Sequence, residues 1–499
     1  MSRLAATFAL AIACSGVPAA AAPVTPGGKP EARPAPRAGS RDEIARAGAP
    51  AQTAEVVRLA ARSALVERLN QLAAWCNEKE LFVERDRIWR KVIEIAPDDA
   101  AARKGLRYAR NVDGSWKEPA PRELKNLGKK WLDELPRREA EAYTPYADTL
   151  FDLARQDGRA PAERDGLVAE ILALVPNHAA LNAWLGRVPL GERWVLPETA
   201  TAKERRLAIR AEARRVLEVG VPLAAQAPTP AEAALGVPWA RVLQGDHVRV
   251  VSTASEEETV RIGRAVEGAG ALLASVLGAE MHYPGAYTIY VLAGEGEKST
   301  FLANLPGVSD EDRARLARLE GTGVPGTNDV ALFARQGAGR VDAAVRHTIG
   351  HLLAKSVGVS HATAWAWEGL GLYLTRELVG TRLTWFVSET ADPVASGLRG
   401  RLMDPETNFI QESYDLLATG RSVPLEDLLR RGLDQLDVAG ALTGYALVAY
   451  LLEGRPDVVL EFVRRSARGD APAAITGELL GRTPAEVQER LVQWLSERR

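Results

Sequence analysis

The chain has 499 residues, too many for one ordinary core, so about three domains are expected. Apolar residues at 46% and charged residues at 26% are the proportions of a globular protein rather than a disordered or fibrous one. With 63 basic against 65 acidic residues, and neither a basic run interleaved with aromatics nor a phosphate loop, the composition argues against nucleic-acid binding.

Residues 1–22, MSRLAATFALAIACSGVPAAAA, carry one positive charge at Arg3, an apolar stretch from Leu4 to Cys14, and then small residues. That is the layout of a secretory signal, too short for a permanent membrane anchor, with Ala19 and Ala21 where the signal peptidase reads. The expectation is an exported protein, periplasmic or secreted. Cys14 opens a lipoprotein alternative, weakened by Ala11 where the lipidation motif usually has leucine. No later segment offers about 18 uninterrupted apolar residues, so no transmembrane segment is expected. Cys76 is then the remaining thiol, without an internal disulfide partner, and reads as a small buried helix residue.

Residues 23–50 are rich in Pro, Ala, Gly and Arg and read as a flexible linker. Helical periodicity follows: Leu65, Leu69, Leu72 and Ala73 share one face, and Ile88, Val92 and Ile95 form the next stripe, which stops at Pro97. IEIAPDDAAARKGLRYARNVDGSWKEP can be laid over ILALVPNHAALNAWLGRVPLGERWVLP. Pro97 then meets Pro176, Leu106 meets Leu185, and Trp116 falls within one residue of Trp194. The spacing of about 80 residues predicts a duplicated helical module, over 51–120 and 121–200, each closing on a glycine turn and a tryptophan. The modules loosely resemble tetratricopeptide helical pairs without their full consensus, which implies holding a partner or positioning a neighbouring domain. Residues 201–235 read as a charged connecting helix and a linker, the latter at APTPAEAALGVP.

From 236 the pattern changes. HVRVVST alternates as a strand does, and EEETVRIGRAVEGAGALLASVLG is a helix with an acidic first turn and Gly278 as its stop. YTIYVLAG and DVALFARQ are two further strands. GRVDAAVRHTIGHLLAKSVG then predicts a helix capped by Asp342 and ending at Gly358, and the remainder, 386–499, is helical. The fold class expected is α+β: helical modules, then an α/β region over 236–385, then a C-terminal helical subdomain.

Within RHTIGHLLAKSVGVSHATAWAWEGLGLY, His347 and His351 are four apart, so on a helix both imidazoles lie on one face and can hold one zinc ion. Six histidines in this length would give roughly 0.07 such pairs by chance. Glu368 follows His351 by 17 residues, inside Trp365, Glu368, Gly369, Leu370, Gly371 and Tyr373. This layout resembles the gluzincin zinc metallopeptidases of the peptidase MA-like branch, whose later helix commonly reads Trp, two residues, Glu-Gly-Leu-Ala, then Tyr. Gly371 stands where that pattern has alanine. The resemblance spans about 239–499 and implies His347, His351 and Glu368 as zinc ligands, with zinc as the cofactor and a peptide or protein as the ligand. His361 fits no ligand spacing and reads as a surface or cap residue.

The resemblance departs at Thr348, where the family carries the glutamate that takes a proton from zinc-bound water. A threonine hydroxyl has no pKa near neutrality and cannot serve as that base. The position is expected to face the open cleft beside the metal. Tyr445 is the residue the resemblance suggests as an oxyanion stabiliser, against a plain packing role. Gly350, between the histidines, predicts a close approach by another helix or a ligand. Trp365 and Trp367 read as core anchors. The first reading is therefore an exported peptidase-like protein that keeps zinc and has lost hydrolysis. The alternatives are a metal-free interaction protein on the same fold, and a working peptidase with an unusual base.

Overall fold

A computed structural model describes residues 41–498 except 284, 286, 320, 334–337, 381–392 and 405; the signal and most of the linker expected at 1–50 lie outside it. The chain divides between Trp194 and Val195 into two compact units. It is an α+β protein in which helices dominate and one small mixed sheet is embedded.

The N-terminal unit repeats one pattern. Helices α1 (Arg41–Glu78) and α2 (Phe82–Ile95) are followed by the short α3 (Ala100–Gly105) and a hairpin of β1 (Ala109–Arg110) and β2 (Trp116–Lys117). Helices α4 (Leu135–Ala154) and α5 (Pro161–Leu174), the short α6 (Ala179–Trp184), and β3 (Val188–Leu190) with β4 (Arg193–Val195) repeat the order. The hairpins are additions to what helical periodicity shows. Equivalent caps start the short helices: the Asp99 carboxylate accepts from the Ala102 amide, and His178 Nδ1 accepts from the Leu181 amide. Each cap is gripped from the long helix before it, Asp99 by Asn70 and His178 by Asp148. The predicted stripe Leu65, Leu69, Leu72 and Ala73 is buried, as are Ile88 and Val92. Cys76 is fully buried in the same core, and burial pushes its thiol up to about 11, so it is inert at neutral pH.

In the C-terminal unit, α7 (Pro197–Val219) precedes a six-stranded sheet built from β5 (Ala224–Ala225), β6 (Arg241–Gln244), β7 (Val248–Ser252), β8 (Tyr287–Val291), β9 (Gly321–Gly323) and β10 (Val330–Leu332). The spatial order is β5-β6-β7-β8-β10-β9, with β7, β8 and β10 parallel and the flanking pairs antiparallel. Between the strands run α8 (Pro230–Ala234), α9 (Glu256–Leu277), α10 (Glu295–Asn304) and α11 (Asp310–Leu316). The period of two explains the layers. Val248, Val250, Tyr287, Ile289, Val291, Val330 and Leu332 face the main core with α9, while Val251, Tyr290, Leu292, Ala331 and Phe333 face a second core with Phe301 and Leu316. Both faces are covered, so β8 and β10 are buried along their whole length and β7 at every residue but Arg249.

Two expectations on connections are corrected. Residues 201–235 do begin with the expected helix, but α7 buries Ala202, Ile209, Ala213 and Val216 in the main core rather than merely connecting, and within the expected linker 224–225 pair as the sheet's edge strand. Helix α8 has a capping box on Thr229, and its Glu232 carboxylate is buried against Arg249. Proline and alanine there serve caps and edges rather than flexibility. Gly278 ends α9 in the left-handed conformation, as its position predicts.

Among the described residues seven helices follow α12 (Ala338–Val357) and α13 (Ala364–Val379): α14 (Pro393–Leu402), α15 (Phe409–Ala418), α16 (Leu425–Leu428), α17 (Val438–Gly454), α18 (Val459–Ala467), α19 (Pro472–Leu480) and α20 (Pro484–Arg498). Helices α13 and α17 are buried almost all round and form the centre of the unit. They cross where Gly369 meets Gly444; a Cβ on Gly369 would lie 2.7 Å from the Gly444 carbonyl oxygen.

The candidate site between two helices

Helix α12 begins at Ala338, so Asp342 is a buried interior residue and not the cap expected. The helix enters earlier because Arg340, already helical, is anchored by both carboxylate oxygens of Glu258 on α9. His347 and His351 sit one turn apart on α12, both only partly exposed, with their Nε2 atoms 2.9 Å apart. Burial holds both imidazoles below the usual histidine range, His351 at about 4, so both are neutral at physiological pH. The His351 ring lies against Tyr287 at 5.7 Å and Trp367 at 6.4 Å between centroids.

Gly350 has the close approach its position predicts, and the neighbour is a helix. A Cβ there would fall 2.3 Å from the indole of Trp367, so α13 lays this ring across the glycine between the histidines. Trp365 and Trp367 are both buried, as expected of anchors. His361 is exposed, with its ring edge on Trp367 and its carbonyl accepting from the Leu433 amide.

Thr348 departs from expectation. It faces no cleft: the residue is fully buried, its hydroxyl donates to the Ala344 carbonyl of its own helix at 2.9 Å, and it lies 3.1 Å from the Tyr287 hydroxyl on β8. The reason is helical geometry. Stepping one residue from His347 turns the side chain about 100° around the axis, here from the partly exposed face to the sheet. Tyr287, which no motif singles out, is thus a neighbour of both Thr348 and His351; its burial raises its phenol well above the usual value. A tyrosine opening a strand was the available signal.

Glu368 is almost completely buried on α13, but its carboxylate is engaged by Arg346, the residue just before the first histidine. Burial pushes the Glu368 carboxyl up, and the Arg346 guanidinium opposes that shift. Its second oxygen, Oε1, is buried with no hydrogen-bond partner among the described residues. Tyr445 is buried between Tyr373 and Phe409, with ring centroids at 5.8 and 5.2 Å, and burial lifts its phenol to about 12. That is the environment of a packing aromatic.

Tested against zinc, these residues fit in part. Two neutral imidazoles are the metal-binding form, and two nitrogens ~3.3 Å apart span a tetrahedral ion with bonds of ~2.0–2.1 Å, close to the separation seen. The third ligand does not join them. Among the described residues no group of three or more His, Cys, Asp or Glu side chains comes together as a metal site, and the Glu368 carboxylate is held by a cation already. The arrangement is a pair of facing imidazoles on α12 and, separately, a buried ion pair that joins α12 to α13. No family model, curated protein or solved structure matches the chain.

Proposed function

We propose that this chain is an exported protein that uses a metallopeptidase-like frame to bind a peptide or protein partner, without metal and without hydrolysing it. The observation that carries the reading is Thr348. A general base must reach the water it deprotonates and must titrate near neutrality. The hydroxyl of Thr348 has no such pKa, and it is turned into the helix and sheet, hydrogen-bonded to Ala344 and adjoining Tyr287. The N-terminal modules, which we read as tetratricopeptide-like, suit holding or positioning the partner. Export rests on the signal-like first 22 residues; no described helix is long and apolar enough to cross a membrane.

Incubating the purified chain with a broad peptide library, with and without chelator, tests this. No cleavage in either arm is expected, and cleavage abolished by chelator overturns it. A second reading, zinc retained without hydrolysis, is favoured by the convergence of the two Nε2 atoms. Metal analysis of protein purified without chelator separates the two. One equivalent of zinc, lost in His347→Ala and His351→Ala, establishes the second.

A further inference from the structure

We infer that His178 makes the second repeat of the N-terminal unit acid-sensitive: a second proton on its imidazole uncaps α6, while the first repeat, capped by Asp99, has no such response. The two caps hold equivalent places and differ in what they can accept. His178 is 4% exposed, and its Nδ1 lies 3.1 Å from the Leu181 amide nitrogen. A backbone N–H only donates, so this ring nitrogen must keep its lone pair, and the single proton of the neutral imidazole is on Nε2. From there it donates to Asp148 Oδ1 at 3.0 Å. Two bonds thus fix the same tautomer. In the first repeat Asp99 Oδ1 accepts from the Ala102 amide at 2.8 Å, and the Asn70 side-chain amide donates to both Asp99 oxygens at 3.2 Å. A carboxyl group offers an acceptor oxygen in either protonation state, and an amide does not titrate.

Histidine is the side chain whose charge ordinarily changes between pH 5 and 8. The imidazolium donates at both nitrogens, so a proton entering at Nδ1 faces the Leu181 N–H and the bond is lost. Two effects then decide the balance. The new positive charge is buried at a helix N-terminus, whose amide groups already present positive charge. Against that, the imidazolium attracts Asp148 more strongly, but this carboxylate side chain is 59% exposed and already bonded to the neutral ring, so screening leaves little gain. The other charged groups on the packed elements are engaged elsewhere. Arg155 stacks on Phe151, whose ring edge meets His178 at 5.7 Å, and it is paired with Asp152. Arg187 reaches Asn182, and Glu170 of α5 holds Arg58 and the Tyr146 hydroxyl. The cap is therefore intact at neutral pH and lost as the pH falls through the histidine range. Because α6 runs into the hairpin of β3 and β4, and Phe151 also holds Trp184 at 6.0 Å, its loss loosens the segment that closes this repeat.

The experiment is amide hydrogen exchange of the full chain at about pH 7.5 and about pH 5, read by mass spectrometry on peptides spanning 181–187 and 102–108 and corrected for intrinsic rates. On acidification the opening of 181–187 should rise at least about 5-fold relative to 102–108, the ratio that loss of one helix cap implies. A ratio that stays constant overturns the inference. His178→Asn caps without titrating and should hold the ratio constant; an acid response that survives in this variant overturns the inference, because another group then carries it. Should His178→Asn fail to fold, Asp148→Asn is the deciding variant. It keeps an acceptor for the Nε2 proton and removes the counter-charge, so the acid response should be at least as large as in the wild type. A smaller response places the titration on Asp148 and overturns the assignment to His178.

Discussion

In the N-terminal unit most ion pairs run along exposed helix faces three or four residues apart, as in Arg137–Glu141 and Arg155–Asp152, with Asp86 between Arg85 and Arg122 as the buried exception. The C-terminal unit has exposed local pairs of the same kind, such as Arg315–Asp312 and Arg430–Glu426, and adds carboxylates that are buried and paired across the sequence. Glu198 of α7 receives Arg490 of α20, 292 residues away, together with the Tyr450 hydroxyl. Glu453 receives both Arg498 and the Tyr373 hydroxyl, and Glu368 receives Arg346. The contrast teaches where charge matters. An exposed pair is screened by water and contributes little, whereas removing one member of a buried pair strands the other. It also supplies the plain context for the Arg346–Glu368 pair, which belongs to a style of construction that this unit uses repeatedly.

The contrast can be broken most directly at Glu453. Arg498→Ala should lower the stability of the C-terminal unit by about 3–5 kcal/mol in denaturant unfolding, because Glu453 is left buried with only Tyr373. A loss under 1 kcal/mol would remove the distinction between the units. Thr348→Glu comes next. A carboxyl forced against Tyr287 and the sheet should cost about 2–4 kcal/mol and create no peptidase activity. A folded, unshifted, active variant would show that the position does open to solvent.

Gly350→Ala should cost about 1–3 kcal/mol, since the new methyl meets the Trp367 indole, and Gly350→Ala with Trp367→Leu should recover part of it. Equal losses in the single and double variants would show that the ring is not the obstacle. The smaller effects belong to the N-terminal unit. Arg107 and Gly186 occupy equivalent places after the two short helices, both in the left-handed region at φ 67° and 70°. Arg107→Gly should therefore stabilise that unit by about 0.5–1 kcal/mol, and an unchanged or lowered midpoint would mean the arginine side chain offsets its backbone strain. Arg137→Ala, on the exposed face, should move the transition by less than about 0.5 kcal/mol.

Much of the fold was legible. The repeat announced itself through Pro97 with Pro176 and Leu106 with Leu185. The three central strands were readable as short runs rich in β-branched and aromatic residues, and Gly278 as a helix stop because φ there suits glycine. The histidine pair was legible from spacing alone, since four residues on a helix fix one face. Local rules suffice where a residue's environment is set by its own helix or strand. The region before the sheet was misread for the same reason: its proline-rich composition describes backbone preference, while its role as edge strand and capped helix depends on Arg249 and β6.

What the sequence determined by itself is therefore the longer helices and the central strands, the repeated order of the N-terminal unit, and the two imidazoles on one face of α12. Only the tertiary structure decided which partner each buried polar group meets. Glu368 could have faced the histidines or Arg346, and Thr348 a cleft or Tyr287. Those choices follow from how α13 lies on α12 and α17, fixed by Trp367 over Gly350 and by Gly369 against Gly444. A helix crossing is set by the shapes of two surfaces brought together from distant parts of the chain, and periodicity within either one carries no record of it.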